Sequence, residues 1–105
     1  TVGDPMLSAT DIGPLISEEA LATVERQVAE AVGDGAKLLL GGNRVQPDGL
    51  PGHYYQPTIL TNVRHGSLPT HEEIFGPVLS LTVARNNDEA VWMANDSKYG
   101  LGASI

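Results

Sequence analysis

Cysteine is absent from the 105 residues, and with it go disulfides, thiolate nucleophiles and cysteine metal sites within this chain. Bases are scarce: six Lys and Arg face thirteen Asp and Glu, and a formal charge of -7 repels phosphate backbones, so no nucleic-acid partner is expected. No apolar run approaches the roughly 20 residues that cross a bilayer. The N-terminal TVGDPMLSATD also lacks the basic and apolar regions of a signal peptide. The expectation is a soluble, cytoplasmic chain that makes no use of a membrane. No G-x-S-x-G occurs, which leaves a serine hydrolase unsupported, and neither GDGAK nor GLGAS completes a phosphate-loop or dinucleotide fingerprint. His53, His65 and His71 lie in loop-like stretches without metal-ligand spacing, so they read as exposed and no metal site is expected.

What is present suits one globular unit: 41% apolar residues, no repeat and no low-complexity tract. Residues 1–16 are turn-rich and predict an extended lead-in. Ser17 caps a helix whose first turn carries Glu18 and Glu19, where the positive end of the helix dipole favours acids. Leu21, Val24, Val28, Ala31 and Val32 recur at spacings of three and four and form its buried stripe, and Gly33-Asp34-Gly35 ends it.

Ala36 to Leu40 then reads as a buried strand, residues 41–53 as a loop or loose hairpin connection, and residues 54–60 as an edge strand because of Pro57. Tyr54 and Tyr55 are expected to cover that edge. Pro77 to Ala84 predicts a strand buried on both faces. Asn86 with Glu89 has the spacing of a capping box and opens a second helix, on which Trp92 should pack against the sheet. A last strand at residues 103–105 would complete a βαβ unit with a right-handed crossover. The order predicts an α/β fold.

Two carboxylates, Glu72 and Glu73, precede Ile74-Phe75-Gly76-Pro77. They fit a short helical turn feeding the strand at Val78. In parallel α/β sheets ligands bind beyond the carboxyl ends of strands, and an acid placed there can grip two ribose hydroxyls while an aromatic ring packs nearby. Read from pattern alone, the same residues make a solvated acidic turn with Phe75 in the core.

DIGPLIS (11–17), GAKLLLGG (35–42), YYQPTIL (54–60), EEIFGPVLSL (72–81) and DEAVWMANDSKYGLGASI (88–105) resemble, in order and spacing, the catalytic domain of NAD(P)-dependent aldehyde dehydrogenases. The resemblance implies that residues 1–105 are a partial catalytic domain, a mostly parallel sheet flanked by helices. The family oxidises aldehydes to acids through a thiohemiacetal on a cysteine and passes hydride to NAD or NADP. Its nucleophile, general base and oxyanion-hole asparagine precede the matched region. The resemblance therefore implies no catalytic residue here, and a chain inactive by itself. It does imply two cofactor-binding residues: Glu73 on the nicotinamide ribose and Phe75 beside it. A dinucleotide, an aldehyde and a homo-oligomer partner are expected of the parent enzyme. GLGASI closes the chain in mid-pattern, which reads as an interrupted domain. The alternatives are a short non-catalytic binding or oligomerisation module of the same fold and, disfavoured for want of a phosphate loop, an unrelated nucleotide-binding enzyme.

Overall fold

The structure is a computed structural model that describes residues 1–100 and 102. Helix α1 runs Glu18–Gly33. Ser17 is extended, and its hydroxyl accepts from the Ala20 N–H at 3.0 Å, satisfying a donor that the first turn would otherwise leave without a partner. At the other end the Gly35 N–H donates to the Val32 carbonyl and the Ala36 N–H to that of Ala31. Gly35 has φ of +105°, so the left-handed residue of this Schellman closure is the second glycine of Gly33-Asp34-Gly35.

Strand β1 (Lys37–Leu40) follows at once and pairs antiparallel with β4 (Thr58–Thr61), which in turn pairs parallel with β5 (Val78–Ser80). The sheet order is β1-β4-β5, and its parallel part is the β4–β5 pair. A second, two-stranded sheet joins β2 (Arg44–Val45) antiparallel to β3 (Tyr54–Tyr55). The α/β class stands: α1 lays Leu21, Val24, Val28 and Ala31 over Tyr55, Leu60 and Val63, and Leu15, Ile74 and Val78 pack at the rim of that core.

Several expectations change. The predicted edge strand is two strands divided at Gln56-Pro57. Pro57 lies just before β4, where its missing N–H removes no ladder bond, so β4 is central rather than marginal. Tyr54 and Tyr55 are buried in the core instead of covering an edge. β1 is exposed along its length and β5 is only partly covered, with Leu79 56% exposed. Their apolar character describes a more enclosed setting than the single covering helix α1 provides.

Helix α2 (Leu68–His71) is one turn, and helix α3 (Asn87–Asn95) is capped by Asn86, whose side chain accepts from the Glu89 N–H at 2.9 Å. The Glu89 carboxylate returns to the Arg85 N–H at 2.6 Å, one residue earlier than a capping box requires. Trp92 does not pack on the sheet: it is 59% exposed, with its ring tilted against His65 at 4.9 Å between centroids. His65 is half-buried rather than exposed: its ring lies against Trp92, and its Nε2 meets Asp96 Oδ2 at 2.7 Å. The predicted strand at 103–105 lies outside the described residues. No helix among the described residues is long and apolar enough to cross a membrane.

Candidate functional site

The segment from Glu72 to Pro77 connects α2 to β5, and α1 determines its path. The Glu72 N–H closes the turn of α2 on the Leu68 carbonyl at 2.9 Å, yet Glu72 itself is extended, with φ of -108° and ψ of 143°. The two acids therefore follow the helical turn instead of occupying it. Ile74 turns into the core cluster, whereas Phe75 is 75% exposed. This alternation is that of an extended chain, which sends successive side chains to opposite sides.

Two contacts hold the segment against α1. The Gln27 amide donates from Nε2 to the Glu73 carbonyl at 3.2 Å. Three residues on, Gly76 lies so close to α1 that a Cβ there would stand 2.9 Å from Val24 Cγ2. The chain then enters β5: Pro77 has no N–H to offer, but its carbonyl accepts from the Thr58 N–H at 2.8 Å and begins the parallel pairing with β4. Gly76→Ala is expected to cost about 1–3 kcal/mol through overpacking. Urea denaturation checks this, and in a Val24→Ala background, where the methyl groups it would meet are gone, Gly76→Ala should cost less.

The register Thr58↔Val78 places the segment at the amino ends of β4 and β5. Contrary to expectation, these acids therefore do not lie beyond the carboxyl ends of the parallel strands, because the chain approaches the pair from the opposite end. Phe75 instead forms part of one wall of an open groove of about 600 Å³, lined by residues 74–77 on one side and by residues 12–16 with Ala20 on the other. Glu73 is half-buried and does not line it. Neither Glu72 nor Glu73 enters an ion pair among the described residues.

The other polar cluster is committed to the fold. Arg44 on β2 grips Glu25 through Nε at 2.7 Å and a terminal nitrogen at 2.8 Å, and meets Glu18 at 2.6 Å. Its hydrogen bonds hold the Glu25 carboxyl below the usual range. His53 lies 3.2 Å from Glu18 in the same cluster. Among the described residues no group of three His, Asp or Glu side chains could hold a metal. Gln27 is the site residue that the sequence reading missed. The signal for it was a polar side chain between Val24 and Val28, at the margin of the apolar stripe.

A family model described as "Aldehyde dehydrogenase family" matches residues 1–105. The succinate-semialdehyde dehydrogenase NADP(+) of Deinococcus radiodurans is 44% identical over 103 residues, covering 98% of this chain and 21% of that protein. The crystal structure of lactaldehyde dehydrogenase from Escherichia coli superposes with a TM-score of 0.87 at 46% identity, covering 95% of this chain and 20% of the other. A Mycobacterium tuberculosis aldehyde dehydrogenase complexed with NAD+ gives a TM-score of 0.86 at 42% identity, with coverages of 95% and 20%. The chain thus spans about a fifth of the length of the proteins it matches.

Proposed function

This chain belongs to the aldehyde dehydrogenase family, and we propose that it is the part of an NAD(P)-dependent aldehyde dehydrogenase catalytic domain that contacts the nicotinamide ribose. On this reading the complete protein oxidises an aldehyde to a carboxylic acid in the cytoplasm as a homo-oligomer. The nucleophile comes from outside these residues, which contain no cysteine. The bound dinucleotide supplies the hydride acceptor. Glu73 accepts hydrogen bonds from the ribose and fixes its rotation, and Phe75 packs beside the sugar and shields it from water.

One observation carries this reading: α1 fastens the backbone on both sides of Phe75, at Glu73 and at Gly76, while the Phe75 ring stays exposed and the Glu73 carboxylate is in no ion pair among the described residues. A fixed backbone carrying an uncommitted acid and an outward aromatic suits a ligand's ribose, because the positions are set before the ligand arrives. The relatives' names include both NADP(+) and NAD+, and the 2′-position of the adenosine ribose is not contacted by this segment on the present reading.

The test places residues 1–105 in the matching fifth of Escherichia coli lactaldehyde dehydrogenase. The hybrid subunit is expected to oxidise lactaldehyde. Glu73→Gln in it should slow hydride transfer roughly ten- to a hundredfold, the equivalent of a charge-assisted hydrogen bond worth about 1.5–3 kcal/mol, and should change dinucleotide affinity less. A hydride-transfer rate equal to that of the parent hybrid would remove the role assigned to Glu73.

A second reading, a non-catalytic binding or oligomerisation module, is favoured by β1, whose outer edge has no strand partner among the described residues and whose three leucines are exposed. Sedimentation of the 105-residue chain separates the two readings. A monodisperse folded assembly supports the module, and a monomer supports the dehydrogenase segment.

A further inference from the structure

We infer that Gln27 is a positioning residue for the reaction: its amide sets where the Glu73 carboxylate stands, so that it acts on hydride transfer through Glu73. The inference rests on the reading of Glu73 given above.

Gln27 is 4% exposed, on the core side of α1 between Val24 and Val28. A buried amide costs free energy unless it is hydrogen-bonded, and among the described residues this one has a single bond, from Nε2 to the Glu73 carbonyl across 46 positions of sequence. Its Oε1 is buried with no partner among the described residues. Only the nitrogen end of the amide can face a carbonyl, since two oxygens would repel, so the acceptor fixes the side chain's orientation.

For the segment, the bond matters because residues 73–75 lie outside every strand and make no backbone-to-backbone hydrogen bonds among the described residues. Glu72 is tied to α2, and Pro77 is tied to β4. Between those ties, Gln27 supplies the hydrogen bond that the backbone of residues 73–75 receives among the described residues. Ile74 packing and the Gly76 approach to Val24 restrain the segment sideways, but neither is directional. The hydrogen bond fixes the Glu73 peptide plane, and with it the direction in which the Glu73 Cα–Cβ bond leaves the chain. An error of about 1 Å at a positioning group is enough to slow a reaction.

The test uses the hybrid subunit described above, with Gln27→Met, which keeps the side chain's length and removes the donor. Hydride transfer, measured in a single turnover at saturating dinucleotide, should slow about three- to tenfold with the dinucleotide Kd changed less than about twofold. The double variant Gln27→Met/Glu73→Gln should be no slower than Glu73→Gln alone, because a residue that acts only through Glu73 has nothing left to set. A change confined to structure would instead slow both backgrounds by the same factor, and that result overturns the inference. An unaltered rate for Gln27→Met beside a slow Glu73→Gln also overturns it, while leaving the role of Glu73 intact. An unaltered rate for Glu73→Gln overturns both. Gln27→Leu, a second donorless side chain of similar volume, repeats the comparison where the Met variant does not fold.

Discussion

Leu60→Ala is expected to lower the free energy of unfolding by about 2–5 kcal/mol, read as a shift of the urea midpoint at constant slope. Leu60 is 0% exposed and stands on β4, the central strand, with neighbours on both sides: Leu38 on β1 and Ser80 on β5. It packs in the core cluster with Val24 and Val28 of α1. Truncation removes apolar contacts and leaves a cavity that strands paired on both edges cannot close. Since folded domains are stable by only roughly 5–15 kcal/mol, the loss takes a large share of the total. Leu79→Ala on β5 is the control: at 56% exposure most of that side chain already lies in water, and its truncation should cost about 1 kcal/mol or less.

Gly41→Ala is expected to cost about 2–5 kcal/mol. Gly41 has φ of +75°, a conformation that carries a penalty of roughly 1–2 kcal/mol for a residue with a Cβ. A Cβ there would also stand 2.2 Å from the Pro57 carbonyl oxygen and 2.7 Å from Thr58 Oγ1, which are backbone and a held hydroxyl rather than the loose end of a side chain. Making room moves the start of β4 and strains the bond that the Gly42 N–H gives to Thr58 Oγ1 at 2.9 Å, adding roughly 1–3 kcal/mol. Gly49 separates the two contributions, because its φ of +71° is similar but nothing lies within 4 Å of its Cβ position. Gly49→Ala should show the conformational part alone, roughly 1–2 kcal/mol, in the same denaturation experiment. Equal costs at the two glycines would mean that the chain at Gly41 yields without strain.

Features set by residues close in sequence were legible before the structure. The Ser17 cap, the stripe from Leu21 to Ala31 and the glycine stop of α1 all depend on contacts within four or five residues. The same holds for the Asn86 cap of α3. Burial was not legible. LLL in β1 and the alternation in β5 describe side chains suited to an enclosed sheet, and what encloses them is decided by elements distant in sequence. Pro57 misled because its exclusion from a ladder was applied to the whole stretch around it, whereas β4 starts one residue later.

The site divides in the same way. Glu73 and Phe75 could be singled out from EEIFGP and the family resemblance, and the alternation that turns Ile74 inward and Phe75 outward follows from an extended backbone. Their setting at the amino ends of β4 and β5 required the pairing register. Gln27 required more still: its partner lies 46 residues away and is a backbone carbonyl, which carries no side-chain signature. The closeness of Gly76 to Val24 is likewise a property of the packed pair, since a glycine before a proline in sequence suggests only a turn.

On the proposed reading the second carboxylate of the pair, carried on a backbone that α1 holds at the Glu73 carbonyl, orients the dinucleotide's ribose. Single-turnover hydride transfer in the hybrid subunit compares Glu73→Gln with Glu72→Gln, an identical loss of charge one residue away. Slowing at Glu73 of roughly tenfold or more, with Glu72→Gln close to the parent, is the predicted result. Equal rates for the two variants, or a slower Glu72→Gln, would contradict it.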